Sequence, residues 1–213
     1  NFYARRVKRI FPALILVLFS SFVLGWFVLF PDEYKQLGKH IAGASGFVSN
    51  FILWGEEGYF DNASETKPLL HLWSLAIEEQ FYIVWPLLVW ISYKFRLHFL
   101  IVITLLITTS FYFNIYLVDH DKISAFYSPL TRFWELLSGS LVAWILMQKS
   151  HLLKNNKRVV GIFAPSGLLL ILFSYIYLDR YMNFPGFLAI FPVIGTMLII
   201  LSSSENWINK TIL

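Results

Sequence analysis

Between Ile10 and Phe30 the chain carries no charged residue. About 20 mostly apolar residues are what an α-helix needs to cross the hydrocarbon core of a bilayer, so this run predicts a transmembrane span. Leu70 to Ile91 and Leu97 to Val118 are comparable runs, the first holding His71, Glu78 and Glu79 and the second His98 at its edge. Leu130 to Met147 contains Arg132 and Glu135. Val159 to Leu178 follows, then the shorter Phe187 to Leu201 with Pro192 and Gly195, residues that membrane helices tolerate better than soluble ones. Composition agrees, since a chain 57% hydrophobic and only 14% charged has too little polar surface to cover a soluble domain, for which about 25% charged residues is usual. An all-α, polytopic membrane helix bundle of six spans is therefore expected.

Charge bias predicts the orientation. The stretch His40 to Gly55, with Ser45, Ser49 and Asn50, is short for a span. If it does not cross, Lys and Arg divide 11 inside and 6 outside; if it does, everything after it flips and the division becomes 8 and 9. Only the first keeps the positive-inside bias. His40 to Gly55 is thus expected to be a re-entrant or interfacial helix on the outer side, followed by an acidic outer loop from Glu56 to Lys67. Residues 1 and 213 both fall on the cytoplasmic side.

The 17 basic residues exceed the 13 acidic ones, and the sequence pI is about 9.2. They sit in short clusters between apolar runs rather than on one face, which argues against nucleic acid and for a lipid bilayer as the partner. With no cysteine, disulfides, thiolate-held metals and acyl-cysteine intermediates are excluded. No HExxH, GxSxG or Gly-rich phosphate loop occurs, so neither a metal nor a bound cofactor is expected.

Carboxylates within a span are costly, which singles out Glu78 and Glu79. At 100° per residue His71 and Glu78 share a helix face with Ser74, Tyr82 and Trp85, while Glu79 points about 80° away. Either a structural polar network or a reaction site accounts for that stripe. Arg132 and Glu135, spaced i, i+3, are close enough to pair with each other, which eases insertion without any further role. His98 and His151 flank basic loops, and His40 and His120 read as ordinary loop residues. Arg5, Arg6, Lys8 and Arg9 suffice as the inner anchor of the first span; alternatively, Arg6 and Arg9 form an anion site able to grip phosphates bidentately.

The segments FYARRVKRIFPAL, PLLHLWSLAIEEQFYIVWPLL and FYSPLTRFWELLSGSLVAW resemble three successive signatures of the acyltransferase-3 family, bacterial integral-membrane O-acyltransferases of surface glycans such as lipopolysaccharide and peptidoglycan. The resemblance covers essentially the whole chain. It implies transfer of an acyl group, acetyl in the main, from cytoplasmic acyl-CoA to a glycan hydroxyl outside the inner membrane. Arg6 and Arg9 fall on the family's RxxR motif, which serves the donor. His71, Trp73, Ser74, Glu78, Glu79 and Tyr82 fall on the second motif, and Arg132, Trp134 and Glu135 on the third. The resemblance thereby implies Glu78, His71 and Glu79 as the catalytic candidates, with Ser74, Tyr82, Arg132 and Glu135 as a supporting polar network. The family's catalytic His lies in a span upstream of RxxR, and its closing signature lies downstream. Residues 1–213 are accordingly expected to be the central part of one acyltransferase domain, inactive by themselves. Two other classes fit the residues alone: a transporter using the buried carboxylates, and a non-catalytic membrane scaffold. Neither the acceptor glycan nor the oligomeric state is legible.

Overall fold

The computed structural model describes residues 2–56, 67–148, 157–179 and 182–202. Among these residues every regular element is helical, as a backbone that must satisfy its own polar groups within lipid requires. The chain divides into two compact units, residues 1–79 and residues 80–213.

The first unit opens with α1, Phe2–Val28, which starts ahead of the charge-free run and takes Arg5, Arg6, Lys8 and Arg9 into its first turns. Helix α2, Pro31–Ser45, has proline at its start, where the missing N–H costs nothing, and Asp32 and Glu33 at its positive end. Glu33 also accepts the Phe30 backbone N–H at 3.0 Å. The helix stops at Gly46, whose N–H donates to the Ala42 carbonyl, and Phe47 takes a left-handed φ of 54° that reverses the chain. Helix α3, Ser49–Glu56, then returns.

Aromatic contacts order α2 antiparallel to α1. Tyr34 meets Phe22 and Trp26 at 5.5 and 5.6 Å between ring centres, and Phe47 at the reversal meets Phe11 at 5.9 Å. Between them Leu37 lies over Gly25, where a methyl group would stand 2.5 Å from Leu37 Cδ2. Glu56 at the end of α3 reaches back to Gln36, Lys39 and His40 on α2. The two helices are therefore the arms of a hairpin, of which α2 lies along α1. Leu14, Leu18, Leu37, Ala44 and Leu69 form its buried core, with Ile10, Ile41, Leu72 and Leu75 packed around it. The opposite face of α1 stays apolar and exposed, Trp26 at 69% and Phe27 at 78%.

The expectation of one helix over His40 to Gly55 is corrected by this hairpin. The helical segment begins at Pro31 and breaks at residues 46–48, because Gly46 closes α2 and Phe47 cannot continue it. At 1.5 Å per residue the arms are roughly 22 and 12 Å long, and neither crosses a core of about 30 Å. The expected loop from Glu56 to Lys67 lies largely outside the described residues.

Helix α4, Leu72–Lys94, runs from the first unit into the second. The second unit continues with α5, Phe99–His120, the short α6, Lys122–Tyr127, and α7, Pro129–Gln148. Then come α8, Lys157–Tyr177, a 3₁₀ turn at Phe187–Ala189, and α9, Ile190–Leu201. Helix α5 packs on α7, and α8 on α9. Asp121 caps α6 by accepting the Ser124 N–H at 3.0 Å and the Ser124 hydroxyl, donors that hold its carboxyl below the usual carboxylate range.

Side chains of α5 pin the start of α7. The Ser110 hydroxyl donates to the Leu130 carbonyl and accepts the Trp134 N–H at 3.0 Å, bridging two groups one helical turn apart. Asn114, fully buried, donates to the Thr131 carbonyl at 3.0 Å. Helices α8 and α9 meet at Gly167 and Gly195: a methyl on Gly167 would stand 2.5 Å from the Gly195 carbonyl oxygen, and one on Gly195 2.8 Å from that of Gly167. Such small residues let backbones approach where hydrophobicity cannot drive helices together.

Among the described residues five helical segments are long and apolar enough to cross a membrane, so the chain is a multi-pass membrane protein. They are Phe2–Val28, Leu72–Lys94, Phe99–His120, Lys122–Gln148 and Val160–Tyr177. The sixth expected span is only the 3₁₀ turn and a 12-residue α9, about 18 Å of helix.

Candidate functional site

In the first unit the basic turn of α1 meets the carboxylates of α4. Arg6 Nε donates to Glu79 Oε1 at 3.0 Å, the two side chains being 18% and 13% exposed. Glu78, half-buried, lies within electrostatic reach of Arg6, Arg9 and Glu79. Arg6 is thus paired with Glu79, while Glu78 and Arg9 stand within electrostatic range of each other without a hydrogen bond or ion pair between them among the described residues. An ion pair this sheltered fixes the guanidinium's orientation.

His71 does not extend that constellation as a helix face. It occupies the turn before α4 and is exposed, and among the described residues no hydrogen bond joins it to Glu78. Ser74 donates to the His71 carbonyl at 3.1 Å, a local turn contact. Tyr82, further along α4, packs its ring edge against Phe81 at 5.8 Å. The expected stripe is interrupted because Pro68 to His71 form turns rather than a first helical turn.

A second charged cluster lies where α3 returns to α2. Glu56 accepts from Lys39 at 2.9 Å and from Gln36 at 3.3 Å, lies 2.7 Å from His40 Nε2, and pairs with Lys67 at 3.3 Å. Burial alone would raise the Glu56 carboxyl; hydrogen bonds from Lys39 and His40 and their charges override it and hold the group at about 2. His40 is buried at 4% exposure, so its reading as an ordinary loop residue is corrected. Residues 16 apart have no fixed helical relation, and only the chain reversal at 46–48 brings them together. His120 is likewise helical, closing α5 with its ring stacked on Tyr116 at 4.3 Å. His98 is exposed ahead of α5, and His151 lies outside the described residues.

In the second unit Arg132 and Glu135 pair within α7 at 2.8 Å, 14% and 25% exposed, as their spacing suggests. The Arg132 guanidinium also lies over the rings of Phe126 and Phe184, at 5.8 and 5.9 Å. Trp134 is buried between them in sequence, packing on Phe111 at 4.8 Å. Glu135 lines a cavity of about 260 Å³ together with Ser138, Thr196 and apolar residues of α9.

Comparison with known proteins gives these positions a family. An uncharacterized protein of Haemophilus influenzae is 40% identical over 97% of this chain and 87% of its own length. The peptidoglycan O-acetyltransferase OatA of Listeria monocytogenes is 28% identical over 99% of this chain and 36% of its own length. The O-acetyltransferase OatA of Staphylococcus aureus is 31% identical over 68% of this chain and 24% of its own. The chain thus spans between a quarter and about a third of these two named relatives. No solved structure matches it. Its match to the acyltransferase domain runs from residue 1 to residue 213, and on that span the chain belongs to the acyltransferase-3 family.

Proposed function

We propose that the chain is part of an enzyme that moves an acetyl group from cytoplasmic acetyl-CoA to a hydroxyl of a cell-wall glycan outside the inner membrane, with peptidoglycan the leading acceptor. The observation that carries this reading is the 3.0 Å pair of Arg6 and Glu79, which joins two signature segments 73 residues apart in sequence. The relatives named for peptidoglycan O-acetylation support the acceptor class. In this reading Arg6 and Arg9 hold the phosphates of the donor, and Glu79 fixes the Arg6 fork against the strong pull of water. Glu78 completes the charge balance and is the catalytic carboxylate of this reading. The hydroxyl oxygen bonds to the thioester carbonyl carbon, the carbon–sulfur bond breaks, and the hydroxyl proton passes through a base to the departing CoA sulfur. The basic turn of α1 and both chain ends then face the cytoplasm, and the base of the α2–α3 hairpin faces outward.

In the complete native protein, Arg6→Lys with Arg9→Lys keeps the inner charge but removes the planar forks. The KM for acetyl-CoA is expected to rise about tenfold at unchanged protein level. Glu78→Gln is expected to abolish glycan acetylation while thermal stability is kept or raised, because a buried charge is removed at constant shape. Wild-type donor affinity in the double variant returns the arginines to a purely orienting role, and full activity of Glu78→Gln removes Glu78 from the site.

A further inference from the structure

Between α7 and α9 lies the cavity of about 260 Å³ that Glu135 lines. Its other polar side chains are those of Ser138 and Thr196, and the rest of the wall is apolar, Phe184, Val193 and Met197 among it. Both hydroxyls spend their proton on their own helix: Ser138 Oγ donates to the Trp134 carbonyl at 2.7 Å and Thr196 Oγ1 to the Pro192 carbonyl at 2.8 Å. What each still offers is lone pairs. Glu135, paired through Oε1 with Arg132 at 2.8 Å, is an acceptor as well, and its Oε2 accepts no hydrogen bond among the described residues. The polar side chains of this wall are therefore all acceptors. Glu135 also stands six residues inside α7, roughly 9 Å from Pro129, so a donor that reaches it is carried on an apolar body.

We infer that this cavity binds the hydroxyl end of a neutral aliphatic amphiphile, the hydroxyl donating to Glu135 and the chain lying against Phe184, Val193 and Met197. Charge selects the class. The Arg132 guanidinium lies 5.9 Å from the centre of the Phe184 ring, and Phe184 lines the cavity, so an ammonium entering it meets a cation already at the wall. A carboxylate meets only acceptors. A pure alkane leaves the three acceptors unanswered, whereas an alcohol satisfies the strongest of them, since a hydrogen bond to an ion-paired carboxylate is charge-assisted. Size sets the length: a cavity of about 150 Å³ takes a benzene ring, so 260 Å³ holds about ten non-hydrogen atoms, close to an eight-carbon alcohol. Arg6, Arg9, Glu78 and Glu79, to which the acyl-transfer reading assigns roles, do not line this cavity, and the two proposals stand or fall separately.

The probe is octanol carrying a photoreactive diazirine on its chain, added to the complete native protein in detergent. On illumination it is expected to attach within residues 129–148 and 184–201, located by peptide mass spectrometry. Unlabelled octanol is expected to displace it, and octylammonium and octanoate to do so about tenfold less well. Val193→Trp fills the cavity and is expected to abolish attachment there. Glu135→Gln supplies the discriminating readout: it keeps the shape, adds an amide donor and leaves the Arg132 charge without its carboxylate, so octanoate is expected to become a better competitor than octanol. A merely structural ion pair predicts no such exchange of preference. Attachment outside these segments, or equal displacement by the three octyl compounds, overturns the assignment in the wild-type protein alone, whether or not either variant folds.

Discussion

At the residue scale, one carboxylate shows how burial and partners compete. Glu56 loses water on folding, which by itself disfavours its charge, yet hydrogen-bond partners from one lysine, one histidine and one glutamine converge on it, with the Lys67 ammonium paired at 3.3 Å. Its folded value of about 2 lies below the ordinary 4.5, so the ionised group stabilises the folded state at every pH above 4.5. That contribution fades as pH falls from 4.5 through 2. The melting temperature of the detergent-solubilised protein, followed by tryptophan fluorescence, is expected to drop across that window, and Glu56→Gln is expected to remove part of the drop by losing the stabilisation already at neutral pH. An unchanged acid profile in the variant means the cluster is already open in the folded protein. Arg132 and Glu135 were foreseeable as a pair because i, i+3 spacing fixes their distance within one helix. Arg6 with Glu79 was not, because adjacent carboxylates on α4 differ by 100° and only the packing against α1 decides which of the two turns toward the arginine.

At the scale of elements, membrane helices associate through close packing and internal hydrogen bonds. The α8–α9 contact rests on two glycines whose backbones approach each other directly, so the obstacle to a larger side chain is a carbonyl that cannot move aside. Gly167→Ala is therefore expected to destabilise the protein by about 1–3 kcal/mol, read as a lower melting temperature in detergent. Gly161, on the same helix with open space where its Cβ would stand, supplies the control: Gly161→Ala is expected to be neutral or slightly stabilising. Equal effects at both sites would mean that helix propensity, rather than contact, governs this element. The pinning of α7 by Ser110 and Asn114 follows the same logic, since a polar side chain in lipid is best satisfied by a neighbouring backbone. The position of Gly195 inside an apolar helix was legible in the sequence, but its partner Gly167 was not, because two helices find their contact face only when packed.

At the scale of the whole molecule the expected topology has a direct test in a chain without cysteine. Ser64→Cys and Ser150→Cys, both at positions outside the described residues, are to be labelled separately with a membrane-impermeant thiol reagent on intact spheroplasts. Labelling of Ser64→Cys alone is the expected result, and labelling of Ser150→Cys alone reverses the orientation. Five of the six expected spans exist as long helices, because a run of about 20 apolar residues has no cheaper state in a bilayer than a helix across it. The membrane class, the helical fold and the approximate ends of each span were thus determined by local composition. The hairpin of α2 and α3 was not, since its reversal depends on a left-handed Phe47 that no period or hydropathy marks. The meeting of His40 with Glu56 and of Arg6 with Glu79 also belongs to tertiary structure alone. Sequence spacing fixes distances only within one helix; between helices, the packing of their apolar faces decides which polar groups are left facing each other.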